Sequence, residues 1–162
     1  MGVDLMIEAE VRTGGEWHRS PERICVSRDR DLFAVLTGWN DPPELMEPVA
    51  AFLPLRGLPD DLSPELHDLR QLASDPASGT SHFQWLLARE VLEFPWHERQ
   101  VTHHFHPDKS RPLGYLVKRA PDGTYRQSYA EFAGYEWMDL VLPWILRLGR
   151  PDDTRVVYFL AW

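Results

Sequence analysis

The sequence predicts a single α+β domain over residues 1–162, with helices packed on a mixed or antiparallel sheet. Two observations predict the sheet. Residues 3–11 alternate apolar and polar side chains with the period of a half-buried strand. Residues 155–162 form a β-branched and aromatic run, which is typical of a strand buried on both faces. Between these terminal strands, about four segments have the apolar spacing of helices.

A tight turn and a helix follow the first strand. Gly14 and Gly15 supply the positive φ angles of a two-residue turn, so residues 16–19 are expected to return as a short partner strand. Ser27 can cap a helix in which apolar residues recur at helical spacing. Gly38 is expected to end this helix.

The middle of the chain is predicted to hold a long loop and two helices. Residues 40–62 contain five prolines, and we expect an irregular loop that is a candidate binding surface. Ser63 followed by Pro64 predicts the start of a short helix. Residues 81–92 begin with the spacing of a capping box and continue with apolar side chains, which predicts a further helix.

The second half is predicted to contain a hairpin and a buried helix. Apolar alternation within residues 113–119 and the strand-like residues 125–128 flank a Pro-Asp-Gly-Thr turn, which predicts a hairpin near 113–128. Residues 135–148 are apolar nearly all round and predict a buried helix. Pro143 is expected to kink or split it.

Composition excludes several functional classes. The chain has 25 acidic residues against 17 Lys and Arg, a formal charge of −8, so we expect no nucleic-acid partner. A single cysteine, Cys25, forms no intramolecular disulfide and indicates a reducing compartment; its apolar neighbours predict that it is buried. We expect a cytoplasmic protein without a membrane partner, because neither a signal peptide nor a long apolar run is present.

A histidine cluster is the main candidate metal site. His104 and His106 would project from one face of an extended segment, next to His103. A carboxylate or a further histidine would complete the ligand set of a divalent ion, the only cofactor that the sequence suggests. The candidates are Asp108, Asp4, His97 and His82. Ordinary exposed histidines are the alternative interpretation of the cluster.

Carboxylates on the first strand are a second candidate site. Asp4, Glu8 and Glu10 lie on one face and could surround a divalent ion or form a general-acid site. The alternative, which we favour, is the solvated face of an edge strand whose charges prevent aggregation.

Several blocks of the chain resemble a family of small bacterial and phage proteins whose N-terminal strand reads Gly-Cys-Asp-Ile-His and ends in Glu. The matching positions are Gly2, Asp4 and Glu10, followed by the blocks 31–36, 57–65, 81–92 and 155–159. Val3 and Met6 depart from that pattern, so a ligand carried by those positions would be lost here. The resemblance implies a shared fold and no particular activity.

Three functional hypotheses follow. Acidity, abundant aromatics, the proline-rich loop and the lack of a recognisable catalytic motif favour a non-enzymatic binding domain with a protein partner. A metal-assisted hydrolase would use the cluster at 103–106 to activate water. An acidic inhibitor of a basic partner, linked to phages or defence, would follow from the charge and the resemblance. Whether the protein is an enzyme stays open at this stage.

Overall fold

The computed structural model of the chain describes residues 3–26, 28–38, 49–104 and 124–162. Contacts divide the chain into two compact units. The first unit comprises Met1–Asp29, Leu53–Phe94 and Tyr135–Trp162, and the second comprises Arg30–Phe52 and Pro95–Gly134. The predicted α+β class is confirmed, whereas one domain over residues 1–162 stays a prediction.

A four-stranded antiparallel sheet forms the centre of the first unit. Its strands are β1 (Asp4–Thr13), β2 (Glu16–Arg19), β3 (Thr80–Leu87) and β6 (Thr154–Ala161), in the order β2-β1-β6-β3. Both terminal strands predicted from the sequence are confirmed, and they pair with each other. β6 is buried from Thr154 to Leu160, as expected for a central strand covered on both faces.

The β1–β2 turn is confirmed where the sequence places it. Gly14 and Gly15 have φ angles of 63° and 91°, which are the two positive values of a type I′ turn. β1 is an interior strand, so the interpretation of its charged face as an edge was wrong. Its polar side chains instead meet partners from neighbouring segments.

The prediction of a helix over residues 81–92 was wrong for its first part. Residues 80–87 form β3, which pairs with β6, and only Ala88–Glu93 form a helix, α3. The side chains of Gln84 and Leu86 are buried two residues apart, with the period of a strand. Pairing with β6 satisfies the backbone N–H and C=O groups of this segment, and a local apolar pattern does not reveal such a distant partner.

Short helices cover the sheet of the first unit. A 3₁₀ turn at Pro64–Leu66 and α2 (Asp68–Ser74) confirm the helix predicted after Ser63, with a break between them. Leu66 and Leu69 pack on Val157 and Phe159 of β6. Each fully buried Leu side chain contributes roughly 1.5–3 kcal/mol of hydrophobic stabilisation.

The helix predicted over residues 135–148 is confirmed as two segments. Glu136–Val141 is a π-helix, and α5 (Leu142–Leu148) continues from it. Pro143 lies at the start of α5, where its missing N–H donor costs least. Instead of a sharp kink at Pro143, the helix changes from π-helical to α-helical geometry just before this residue.

The second unit combines helices with a small hairpin sheet. It contains α1 (Arg30–Thr37), β4 (Gln100–His104), β5 (Thr124–Ser128) and nearly all of α4 (Tyr129–Tyr135). β5 confirms the strand predicted at 125–128, and it pairs antiparallel with β4. The partner predicted at 113–119 lies outside the described residues. The rings of Phe52 and Trp96 pack with their centroids 4.8 Å apart.

Two further expectations concern loops and membranes. The described part of the predicted loop, residues 49–62, contains neither helix nor strand, and residues 39–48 lie outside the described ranges. Within those ranges, no helix has both the length and the apolar composition needed to cross a membrane.

Candidate ligand-binding pocket

A buried ion pair links the two terminal strands. Glu10 and Arg155 are direct partners in the β1–β6 register, and their side chains are 0% and 1% exposed. Arg155 Nε donates to Glu10 Oε2 at 2.5 Å. The other carboxylate oxygen, Oε1, accepts the backbone N–H of Ser63 at 2.7 Å. Both oxygens of the buried carboxylate are therefore hydrogen-bonded, as a buried charge requires.

The same guanidinium also binds Asp61. Arg155 Nη1 donates to Asp61 Oδ1 at 2.5 Å, and Nη2 donates to the Asp61 carbonyl oxygen at 2.8 Å. Unlike Arg155, the Asp61 side chain is 66% exposed. One positive and two negative groups thus form a network whose excess negative charge lies at its exposed end.

Trp17 fixes the second oxygen of this exposed carboxylate. Its indole Nε1 donates to Asp61 Oδ2 at 2.8 Å. The Arg155 guanidinium carbon also lies 4.1 Å from the centroid of the Trp17 ring, within the range of a cation–π contact. Asp61 is therefore held in one orientation by two donors while much of its surface stays open.

These bonds determine the protonation of Asp61. Partial burial raises the pKa of the carboxyl, but the hydrogen bonds from Arg155 and Trp17 and the positive charge of Arg155 outweigh it. The net pKa is below the ordinary value of 3.8. Asp61 is consequently an anion at neutral pH.

A pocket opens beside this anion. It has a volume of about 500 Å³ and is lined by residues 15–18 and 61–65, all within the first unit. This volume falls within the usual range of small-ligand sites. The lining includes three carboxylates, from Glu16, Asp61 and Glu65, and contains neither Lys nor Arg.

Local sequence explains both walls. The glycine turn and the four residues of β2 place Trp17 and His18 along one wall. On the other wall, the Glu10 carboxylate and Arg155 bind backbone groups of Ser63 and Asp61. The loop before the 3₁₀ turn is thereby attached to the sheet by its main chain.

A histidine lies near the acidic rim of the pocket. His18 Nδ1 is 3.8 Å from Glu65 Oε1, and both side chains are about half exposed. The imidazole of one wall therefore lies beside the Glu65 carboxylate of the other wall.

The carboxylates predicted on the first strand do not form one site. Each has its own arginine: Asp4 pairs with Arg28, Glu8 with Arg19, and Glu10 with Arg155. Three different guanidinium groups therefore neutralise the three carboxylates one by one. Only Glu10, through Arg155, connects to the pocket.

The predicted histidine site falls largely outside the described residues. His103 and His104 belong to β4, but their side chains are not described, and His106 and Asp108 lie outside the described ranges. Within the described parts of the chain, no group of three or more His, Cys, Asp or Glu residues could hold a metal ion. The metal site at 103–108 stays a prediction.

Four further residues do not line the pocket: Cys25, Arg89, Trp96 and Trp162. Cys25 is exposed, so the prediction of a buried thiol was wrong. Arg89 forms an ion pair with Asp152 at 2.7 Å. Trp96 is buried and Trp162 is 54% exposed.

The sequence indicated the loop at 40–62 as a candidate binding surface, and its last residues, Asp61 and Leu62, line the pocket, but Arg155 and Trp17 were not connected with it. One signal for Arg155 was present. Arg155 begins a segment predicted to be buried on both faces, and a buried guanidinium requires a carboxylate partner. That requirement predicts an acidic residue nearby but does not say which. Comparison with models of protein families, with curated proteins and with solved structures finds no match.

Proposed function

We propose that the chain is a binding domain whose pocket receives a cationic group from a protein partner. The observation that carries this proposal is the exposed carboxylate of Asp61, held by Arg155 and Trp17 at the wall of the pocket. An anion fixed in advance binds a cation without the entropic cost of ordering a free side chain.

Charge complementarity supports a cation. Glu16, Asp61 and Glu65 bring three carboxylates to the lining of one pocket. A Lys or Arg side chain of a partner complements this negative charge and forms charge-assisted hydrogen bonds. The formal charge of −8 adds long-range attraction for a basic partner and raises the rate of encounter.

The protonation of Asp61 suits binding. Its pKa is lowered, and both of its oxygens already accept hydrogen bonds. A general acid or base near neutral pH requires a pKa close to that pH. Ion pairing is therefore the role that this carboxylate supports best.

Peptide titration tests the proposal. The probes are acetyl-Val-Thr-Arg-Thr-Val-amide and the same peptide with Gln or Glu at the centre, each added to the full chain and followed by calorimetry. We expect the Arg peptide to bind and the Glu peptide to show no measurable heat. Equal affinities for the Arg and Gln peptides would contradict the proposal.

Two variants locate the site. Asp61→Asn should weaken binding of the Arg peptide by about tenfold or more, because a charge-assisted hydrogen bond is lost. Glu16→Gln with Glu65→Gln removes rim charge without touching the Arg155 network, and should also weaken it. Asp139→Asn changes an exposed acid outside the pocket lining and serves as the matched control.

A further inference from the structure

The outer edge of β2 presents main-chain groups beside the pocket. β2 is at one end of the sheet. In its ladder with β1, Ser20 N donates to Ala9 O at 2.8 Å, which marks that position as directed toward β1. Since such positions alternate in an antiparallel ladder, His18 is also directed inward. The N–H and C=O groups of Trp17 and Arg19 are therefore directed outward.

A second hydrogen bond agrees with this alternation. Arg12, the register partner of Trp17, donates its N–H to Asp153 O at 2.7 Å, on the side of β1 away from β2. The Arg12 and Trp17 pair is thus the kind whose backbone groups face away from each other. Trp17 consequently offers one donor and one acceptor at the edge.

The pocket lies on this same side of β2. Its lining comes from residues 15–18 and 61–65 and includes none of β1. Within the described parts of the chain, no strand pairs with this edge, so its outward main-chain groups and the carboxylate pocket are adjacent parts of one surface.

We propose, on the basis of the function proposed above, that the partner binds as an extended basic segment added to the sheet beside β2. Added strands gain affinity from main-chain hydrogen bonds and specificity from pockets for alternate side chains. A residue bonded to the main chain of Trp17 directs its side chain to the same face as Trp17. On that face the indole meets Asp61, so an Arg or Lys at this position reaches the carboxylate.

Backbone methylation tests the strand geometry separately from the charge. The probe is again acetyl-Val-Thr-Arg-Thr-Val-amide, prepared with N-methylation either at the central Arg or at the two Thr residues. In the proposed arrangement the N–H of the Arg points toward β2, whereas the N–H groups of the two Thr residues point away from it. Methylation of the Arg should therefore weaken binding by about tenfold, and methylation of both Thr residues should leave affinity within about threefold. Amide signals of Trp17 and Arg19 in a ¹⁵N–¹H spectrum should shift on addition of the unmodified peptide.

A change in the protein provides the reciprocal test. Arg19→Pro removes an outward N–H, which an edge strand tolerates, and Arg19→Ala controls for loss of the side chain and its pairing with Glu8. Arg19→Pro should bind the peptide more weakly than Arg19→Ala. Circular dichroism of both variants confirms that the chain stays folded.

The outcomes separate the two proposals. If both methylated peptides bind like the unmodified one while Asp61→Asn still weakens binding, the strand geometry is wrong and the cation pocket stands. If no Arg peptide binds, the proposed function itself fails. A dimer in sedimentation that dissociates when Arg19→Pro is introduced would identify a second copy as the occupant and overturn the basic segment.

Discussion

Glu10 and Arg155 face each other across the β1–β6 ladder with 2.5 Å between Oε2 and Nε, and both side chains are buried. A buried ion pair is costly to form and still more costly to break on one side, because the remaining charge has no solvent. The pair also binds the loop that forms one wall of the pocket. The stability of the sheet and the position of this pocket wall thus depend on the same two residues.

Removing one partner should destabilise the fold strongly. We expect Arg155→Met to lower the free energy of unfolding by about 3–5 kcal/mol, since Glu10 is left buried without its guanidinium. The double variant Glu10→Met with Arg155→Met should lose less than Arg155→Met alone. Urea unfolding measures both. A double variant less stable than the single one would contradict this account.

An exposed ion pair provides the comparison. Arg89 and Asp152 pair at 2.7 Å, with side chains 50% and 55% exposed. Arg89→Ala should change the free energy of unfolding by less than about 1 kcal/mol, because solvent screens an exposed pair.

Asp61 should make stability depend on acidic pH. Its pKa is lower in the folded chain than its ordinary value of 3.8, so the unfolded chain binds the proton more readily. The stabilisation is complete above that ordinary value and is lost as the pH falls through the folded pKa. Urea unfolding across this pH range should show that the free energy of unfolding depends less steeply on pH in Asp61→Asn than in the unaltered chain. Equal slopes would show that Asp61 titrates alike in both states.

His82 occupies a strained position in β3. Its φ angle is 54°, at the point where the β3–β6 register shifts between Ser81 and Gln84. A residue with a side chain is disfavoured there by roughly 1–2 kcal/mol relative to glycine. His82→Gly should therefore be more stable than His82→Ala by about 1 kcal/mol, and thermal unfolding compares them after the same loss of the imidazole.

Gly79 combines positive φ with a close approach. A Cβ at this position would lie 2.8 Å from the backbone oxygen of Trp162, whereas a Cβ at Gly57 would meet nothing within 4 Å. Both residues have positive φ, so Gly57→Ala reports the backbone strain alone. We expect Gly79→Ala to destabilise the chain more than Gly57→Ala in urea unfolding. Equal losses would mean that the backbone at Trp162 shifts away from the added Cβ without cost.

Local sequence patterns predicted an element correctly where the tertiary contacts favour the same structure as the segment's own periodicity. β1 and β6 were found because alternation and β-branched runs are properties of the segment itself. β3 was predicted as a helix because an apolar run with a serine at its start fits either structure. Its pairing with β6, whose partner residues lie 68 to 81 positions later in the chain, decides for the strand.

The exposure of individual side chains also depends on tertiary contacts that local sequence does not contain. Cys25 lies between apolar neighbours, which predicted burial, yet the structure leaves it exposed. Burial of a single side chain depends on what packs over it, and the flanking residues do not specify that. The charged face of β1 was misinterpreted because pairing with β2 and β6 places this strand inside the sheet, and arginines pair with its acids there.

The sequence alone determined the α+β class, the terminal strands, the glycine turn and the apolar helix before the last strand, because each is encoded within a few consecutive residues. Only the tertiary structure decided the pocket. Glu10, Asp61 and Arg155 meet because the β1–β6 register and the path of one loop bring together positions 145 and 94 residues apart along the chain. Such long-range pairing depends on the energy of the whole packed arrangement, which no local pattern contains.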